Sequence, residues 1–261
     1  MLWWPAAPSR ERAPDGAAFV GGDLHSLVAD PTRPDTIYVG GHSAVSRSTD
    51  GGTTWERVES LNGADAMGWA FADGAIYVSG HPGLSVAQPR PGAFSRRNDG
   101  LPDTDLHAFG AGDATLYGAG PGAGVIASTD GGTTWETRTR DAGQAFFGRI
   151  LVEDDGSSLL AADAQQGPVR SGDGGRTWTS LDGPPAVWLT RAGDAVIASG
   201  SQGAYLQRAR SAPWGPLSLP DGAILVEADP HTPARLFAAG HSGSTAQLWI
   251  STDDGQTWDR T

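Results

Sequence analysis

The sequence predicts an all-β fold, a single six-bladed β-propeller of four-stranded antiparallel blades, and three observations carry that expectation. The first is an octapeptide, S-x-D-x-G-x-T-W, present four times: Ser48–Trp55, Ser128–Trp135, Ser171–Trp178 and Ser251–Trp258. The second is its spacing. With Phe94 and Trp214 standing where two further copies have decayed, the series Trp55, Phe94, Trp135, Trp178, Trp214, Trp258 recurs about every forty residues, the length of one four-stranded blade. The third is composition: 38 Gly and 18 Pro among 261 residues suit many short strands joined by tight turns.

Each unit justifies itself in turn. In 23–62, Leu24–Asp30 alternates apolar and polar residues, and Thr36–Gly40 follows as a second strand. A loop at Gly41–Ser43 then leads to AVSRS, the octapeptide turns the chain, and WERVE reads as the outer strand. Unit 63–101 repeats this with MGWAFA, AIYVS, LSVAQ and a broken octapeptide ending at Phe94. Unit 102–142 has DLHAFGAGD, ATLYG and GVIAS; unit 143–183 has GRILVED, SSLLAA and PVRS. Unit 184–221 has AVWLTR, AVIAS and GAYLQ, and unit 222–261 has AILVEADP, RLFAAG and QLWIS. Residues 1–22 read as a leader or linker, the remnant of an export segment, from which Ala17–Val20 could add to a sheet edge.

The octapeptide has a local logic. Its Asp can accept hydrogen bonds from amides just downstream, its glycines relieve the cost of positive φ, and its Trp is large enough to anchor one blade on the next. The string resembles the Asp-box, or bacterial neuraminidase repeat, of sialidases, sortilin-type receptors and photosystem assembly factors. With MGWAF (Met67–Phe71) and VSGHPG (Val78–Gly83), the chain from about His25 onward also looks like a group of bacterial Asp-box proteins labelled glycosylhydrolase. The resemblance implies that the box lies in the turn between the third and fourth strands, remote from the ligand face. Asp50, Asp130, Asp173 and Asp253 are therefore expected to be structural. It also implies an extracytoplasmic location, since such propellers are frequently exported.

Composition narrows the chemistry. A net charge of −12 and a pI near 4.7 argue against nucleic acid and anionic membrane surfaces. All 18 basic residues are Arg, which removes Schiff-base catalysis and a phosphate-loop lysine. Cys is absent, so thiol nucleophiles, iron–sulfur clusters and disulfides are excluded. No stretch reaches the apolar length of a membrane span. A monomer is expected.

Five of the six histidines fall on one face. The starts of first strands and the loops between second and third strands share the mouth face of the channel; the box turns lie on the other. His42, His81 and His241 each follow the aromatic of a second strand (Tyr38, Tyr77, Phe237) by four residues. His25 and His107 match in DLHSLVADP and DLHAFGAGD, Met67 takes that slot in the second unit, and Arg149 is offered by the fourth. Imidazole and thioether together suit a transition metal, copper before zinc. A His/Met-lined mouth for a small ligand, a metal ion or a protein, working without catalysis, is thus the preferred reading.

The alternative is a carbohydrate-active enzyme. A sialidase is rejected: FFGRIL around Arg149 lacks the proline of the sialidase Arg motif, and Tyr38, Tyr77 and Tyr117 are repeat-equivalent strand residues. Other glycosidases need two carboxyls facing each other across the substrate, for which Asp65, Asp105 and Asp163 are candidates beside Asp23. Trp69 and Trp188 could stack a sugar or plug the channel. Both readings stay open at this point.

Overall fold

The computed structural model describes residues 17–89, 92–112 and 114–261; residues 1–16, most of the expected leader, lie outside the described residues. The strands follow one another as antiparallel meanders. The first is β1 (Leu24–Ala29), β2 (Ile37–Gly41), β3 (Val45–Ser48) and β4 (Glu56–Arg57). The second is β5 (Asp65–Ala72), β6 (Ala75–His81), β7 (Gly83–Ala87) and β8 (Ser95–Arg96). Next come β9 (Ala108–Ala111), β10 (Leu116–Gly120), β11 (Gly124–Ser128) and β12 (Glu136–Thr139), then β13 (Phe146–Val152), β14 (Leu159–Asp163), β15 (Gly167–Ser171) and β16 (Thr179–Ser180). The chain ends with β17 (Trp188–Ala192), β18 (Ala195–Gly200), β19 (Gly203–Gln207) and β20 (Gly215–Leu217), followed by β21 (Leu225–Ala228), β22 (Leu236–Ser242), β23 (Thr245–Ser251) and β24 (Asp259–Arg260). Among the described residues there is no α-helix, and one 3-10 turn spans Glu59–Leu61.

Four of these meanders are separate four-stranded sheets, and β9–β16 form one eight-stranded sheet because β9 and β13 pair in parallel. The first strands pack in a closed series: β1 on β5, β5 on β9, β9 on β13, β13 on β17, β17 on β21, and β21 back on β1. That ring of innermost strands defines a β-propeller. The inner strands are mostly buried, β21 wholly so, whereas β4, β8, β16 and β24 are two-residue, exposed edges. WERVE thus contributes only Glu56–Arg57 to its sheet. Short exposed edges of this kind, charged in β4, β8 and β24, resist pairing with other chains.

Ring closure uses the end of the expected leader, the stretch offered above to a sheet edge. Ala18, Phe19 and Val20, counted with the leader above, are buried. Ala246 donates its amide to Ala18 at 2.8 Å, Val20 donates to Ser244 at 2.9 Å, and Phe19 bridges Thr245. On the other side Ser46 Oγ donates to the Phe19 carbonyl at 2.8 Å. Residues 18–20 therefore tie β23, near the chain's end, to β3 in its first meander.

The four octapeptides adopt one geometry. In the first, Ser48 Oγ donates to Asp50 Oδ1 at 2.7 Å, and that oxygen also accepts the amides of Thr53 (3.1 Å) and Thr54 (2.9 Å). Thr54 Oγ1 donates to Oδ2 at 2.6 Å, and the Trp55 indole donates to the Gly52 carbonyl at 3.0 Å. Gly52 holds φ of 96°, and a Cβ there would meet Leu248 Cδ2 at 2.3 Å. Only glycine serves there. Asp130, Asp173 and Asp253 repeat the carboxylate network, while Trp258 donates instead to Ser218.

The axis is filled. Trp69 and Trp188 are buried, at 1% and 0% exposure, and neither offers a stacking face. Trp69 donates to Ser26 Oγ at 2.9 Å; Trp188 donates to Glu227 Oε2 at 3.1 Å. Their expected ligand-binding role gives way to that of a plug, because closing a tight ring of inner strands leaves the largest side chains in the middle.

Candidate functional site on the histidine face

First strands begin on the face opposite the octapeptide turns, and a carboxylate marks three of those starts: Asp23, Asp65 and Asp105. Each is followed two residues later by His25, Met67 or His107. Second strands end on the same face with a Gly-His pair, Gly41-His42, Gly80-His81 and Gly240-His241. The glycine is a packing requirement. A Cβ on Gly41 would sit 2.5 Å from the Asp23 carbonyl, and one on Gly80 would sit 1.6 Å from the Asp65 carbonyl. Freed of side chains, these strand ends press on the start of their own meander, and the following His leans toward the carboxylate of the next.

Two His-Asp-His groups result. In one, His25 Nδ1 contacts Asp65 Oδ1 and His42 Nδ1 lies 3.7 Å from Asp65 Oδ2. In the other, His81 Nε2 is 2.9 Å and His107 Nε2 2.6 Å from Asp105 Oδ1. Within each group the donor atoms lie within 4.8 Å of one another. Both imidazoles lie close to the buried Asp105 Oδ1, which forms no well-aligned hydrogen bond. His107 stacks on Phe147 at 4.9 Å, and burial pushes its pKa down against the pull of Asp105.

The remaining expected site residues divide. His241 stands apart, its Nε2 3.9 Å from the exposed Asp23. Met67 follows Asp65 on β5 with its side chain half-buried. The five histidines thus do not form one cluster. Asp163 is buried and caps its own turn, accepting the Gln165 and Gln166 amides at 2.8 and 2.9 Å. Arg149 is not in the His107 slot: the parallel register sets it opposite Phe109 and leaves Phe147 beside His107. Its guanidinium pairs instead with buried Glu227 at 2.8 Å.

Two features escaped the sequence reading. Glu227 lies inside the apolar run AILVEADP, and its only signal was a charge on a strand expected to be internal. Glu153 accepts hydrogen bonds from Arg210 at 2.6 Å and Arg191 at 3.3 Å and has Arg170 at 3.9 Å, beside a cavity of about 370 Å³ between β14–β15 and β17–β19. Those three cations are scattered over forty residues and become neighbours only when adjacent meanders pack.

The fold and this face place the chain in the class of β-propellers. No family model matches it. It is 27% identical over 210 residues to a xyloglucanase of Paenibacillus sp., a match covering 70% of this chain and 20% of that protein. Among solved structures it resembles the GH74 xyloglucanase of Xanthomonas campestris, with a TM-score of 0.64 and 16% identity over 95% of this chain and 46% of that one. The GH74 enzyme of Niastella koreensis gives 0.65 at 12% identity, covering 94% and 46%. YCF48 bound to a D1 peptide gives 0.58 at 17% identity, covering 97% and 87%. The chain spans about a fifth of the curated relative and just under half of either GH74 structure.

Among the described residues, no helix is long and apolar enough to cross a membrane.

Proposed function

We propose that this chain is a carbohydrate-active, glycoside hydrolase-like propeller that engages a β-glucan of the xyloglucan class across its histidine face, outside the cytoplasm. The observation that carries the reading is the 27% match to a xyloglucanase over 70% of the chain, which favours a sugar over the copper-first ligand mouth expected from the histidines' repeat slots. We count the eight-stranded sheet as two blades, which makes six, and we read the octapeptide turns as Asp-boxes whose carboxylates serve the fold.

Asp65 and Asp105 are the carboxylates assigned to the sugar. They begin neighbouring inner strands on the same face, Asp65 buried and Asp105 partly exposed, and each is flanked by two imidazoles that can donate to or accept from hydroxyl groups. Hydrolysis would further require one carboxyl as acid and another as base or nucleophile, about 5–10 Å apart across the bond. Asp163 is assigned no part in it, being committed to its turn.

The test is calorimetric titration of the full chain with xyloglucan oligosaccharides, using mannan oligosaccharides as control, with reducing ends measured in the same samples. Binding of the glucan that weakens at least tenfold in Asp65→Asn and Asp105→Asn supports the reading. Reducing ends released by the wild type and not by Asp105→Asn make the chain a hydrolase, and binding without release makes it a binding module. No affinity for any β-glucan, or affinity untouched by both substitutions, overturns the proposal.

A further inference from the structure

The two His-Asp-His groups have the composition and geometry of metal sites. The chain has six histidines, and four of them converge on two carboxylates. Inheritance between repeats explains why a Gly-His pair and an Asp recur at equivalent positions. It does not explain the third member. Asp65 is joined by His25 from the preceding meander, whereas Asp105 is joined by His107 from its own first strand. Two different routes arrive at the same three-donor set.

The directions of the groups point the same way. Around Asp105 the two imidazole nitrogens and the carboxylate oxygen crowd together without forming hydrogen bonds, and Asp105 Oδ1 is buried with no hydrogen-bond partner. Three donors gathered within 4.8 Å of one another can close on a cation among them, which in the other group would replace the hydrogen bond between His25 Nδ1 and Asp65 Oδ1. In each group one imidazole is exposed, His42 at 68% and His81 at 51%, so an ion could enter from solvent.

We propose that His25, His42 and Asp65, and separately His81, Asp105 and His107, form two open sites for divalent transition metals, zinc foremost. All six donors are imidazole nitrogen or carboxylate oxygen. Such a set suits zinc, and three protein ligands leave its fourth position open to water or to a hydroxyl group of a ligand. The sequence had suggested one copper site with Met67 as a soft ligand; the geometry divides the histidines into two harder sets without it. The inference concerns the same face as the glucan reading but does not rest on it.

The experiment titrates metal-free, tag-free full chain with zinc chloride by calorimetry, with no sugar present, so its outcome is separate from that of the glucan test. Two equivalents are expected for the wild type, and one each for His42→Ala and His81→Ala. The double variant should bind none, and His231→Ala, on the opposite face, should keep both. Both substituted side chains are exposed, and an unchanged thermal midpoint without metal confirms that each variant is folded. A wild type that takes up no zinc, or a double variant that retains both equivalents, overturns the proposal.

Discussion

Glu227 shows how much one residue can carry in a ring of strands. Its carboxylate is 1% exposed and accepts the Arg149 guanidinium at 2.8 Å, the Trp188 indole at 3.1 Å and the Ala29 amide at 3.4 Å. Burial pushes its pKa up, and Arg149 works against that shift. Glu227→Ala strands a half-buried guanidinium and removes the indole's acceptor together. Breaking a buried pair from one side typically costs about 3–5 kcal/mol, and denaturant unfolding of the variant should show a loss of that order. Glu227→Gln, which keeps the shape and an acceptor, should lose less; equal stability of Glu227→Ala and wild type would contradict the account. None of this was legible in the sequence. Alternation identifies a strand, but a partner 78 residues away is set by which inner strands face each other across the axis. The same limit misplaced Arg149, because repeat alignment slips by two residues where FFGRIL replaces LHAFG.

At the scale of the element, the octapeptide turn is the part the sequence specified most fully. A carboxylate, two hydroxyl residues, glycines and an indole in fixed order leave few turns to choose from, and the four copies match nearly bond for bond. Asp50, Asp130 and Asp253 are held at a pKa of about 2, first by the hydroxyl of the Thr four residues on and then by the amides of the same turn; Asp173 is lowered further. A folded pKa below the unfolded one adds stability that is present above the unfolded value, near 3.8, and is lost as pH falls through about 2. The thermal midpoint should therefore fall across that window. Asp130→Ala should lower it at neutral pH and flatten its acid dependence, while leaving β-glucan affinity unchanged. A midpoint indifferent to Asp130→Ala would contradict a structural role for the turn. Outer strands were less legible. WERVE follows the octapeptide where an outer strand is expected, but an outermost strand has a neighbour on one side only, and the ladder stops after Arg57.

At the scale of the whole molecule, closure and the histidine face are consequences of the ring. The repeat period could be read from six aromatics, and from it the all-β class and the order of the meanders. The joint was legible only as a stretch, Ala17–Val20, free to add to an edge; residues 18–20 lie outside the repeat, and their place between β3 and β23 is set by the closed ring. The site was half legible: repeat slots put the histidines on one face, but which carboxylate each would meet depends on how closely a Gly-His strand end approaches the next meander. The central claim is that this face, and not the turn face, takes the glucan. Hydrogen–deuterium exchange with and without xyloglucan oligosaccharide tests it directly. The account predicts protection at 23–26, 41–43, 64–67, 80–83 and 104–108; protection confined to the octapeptide turns at 48–55, 128–135, 171–178 and 251–258, or none anywhere, would contradict it.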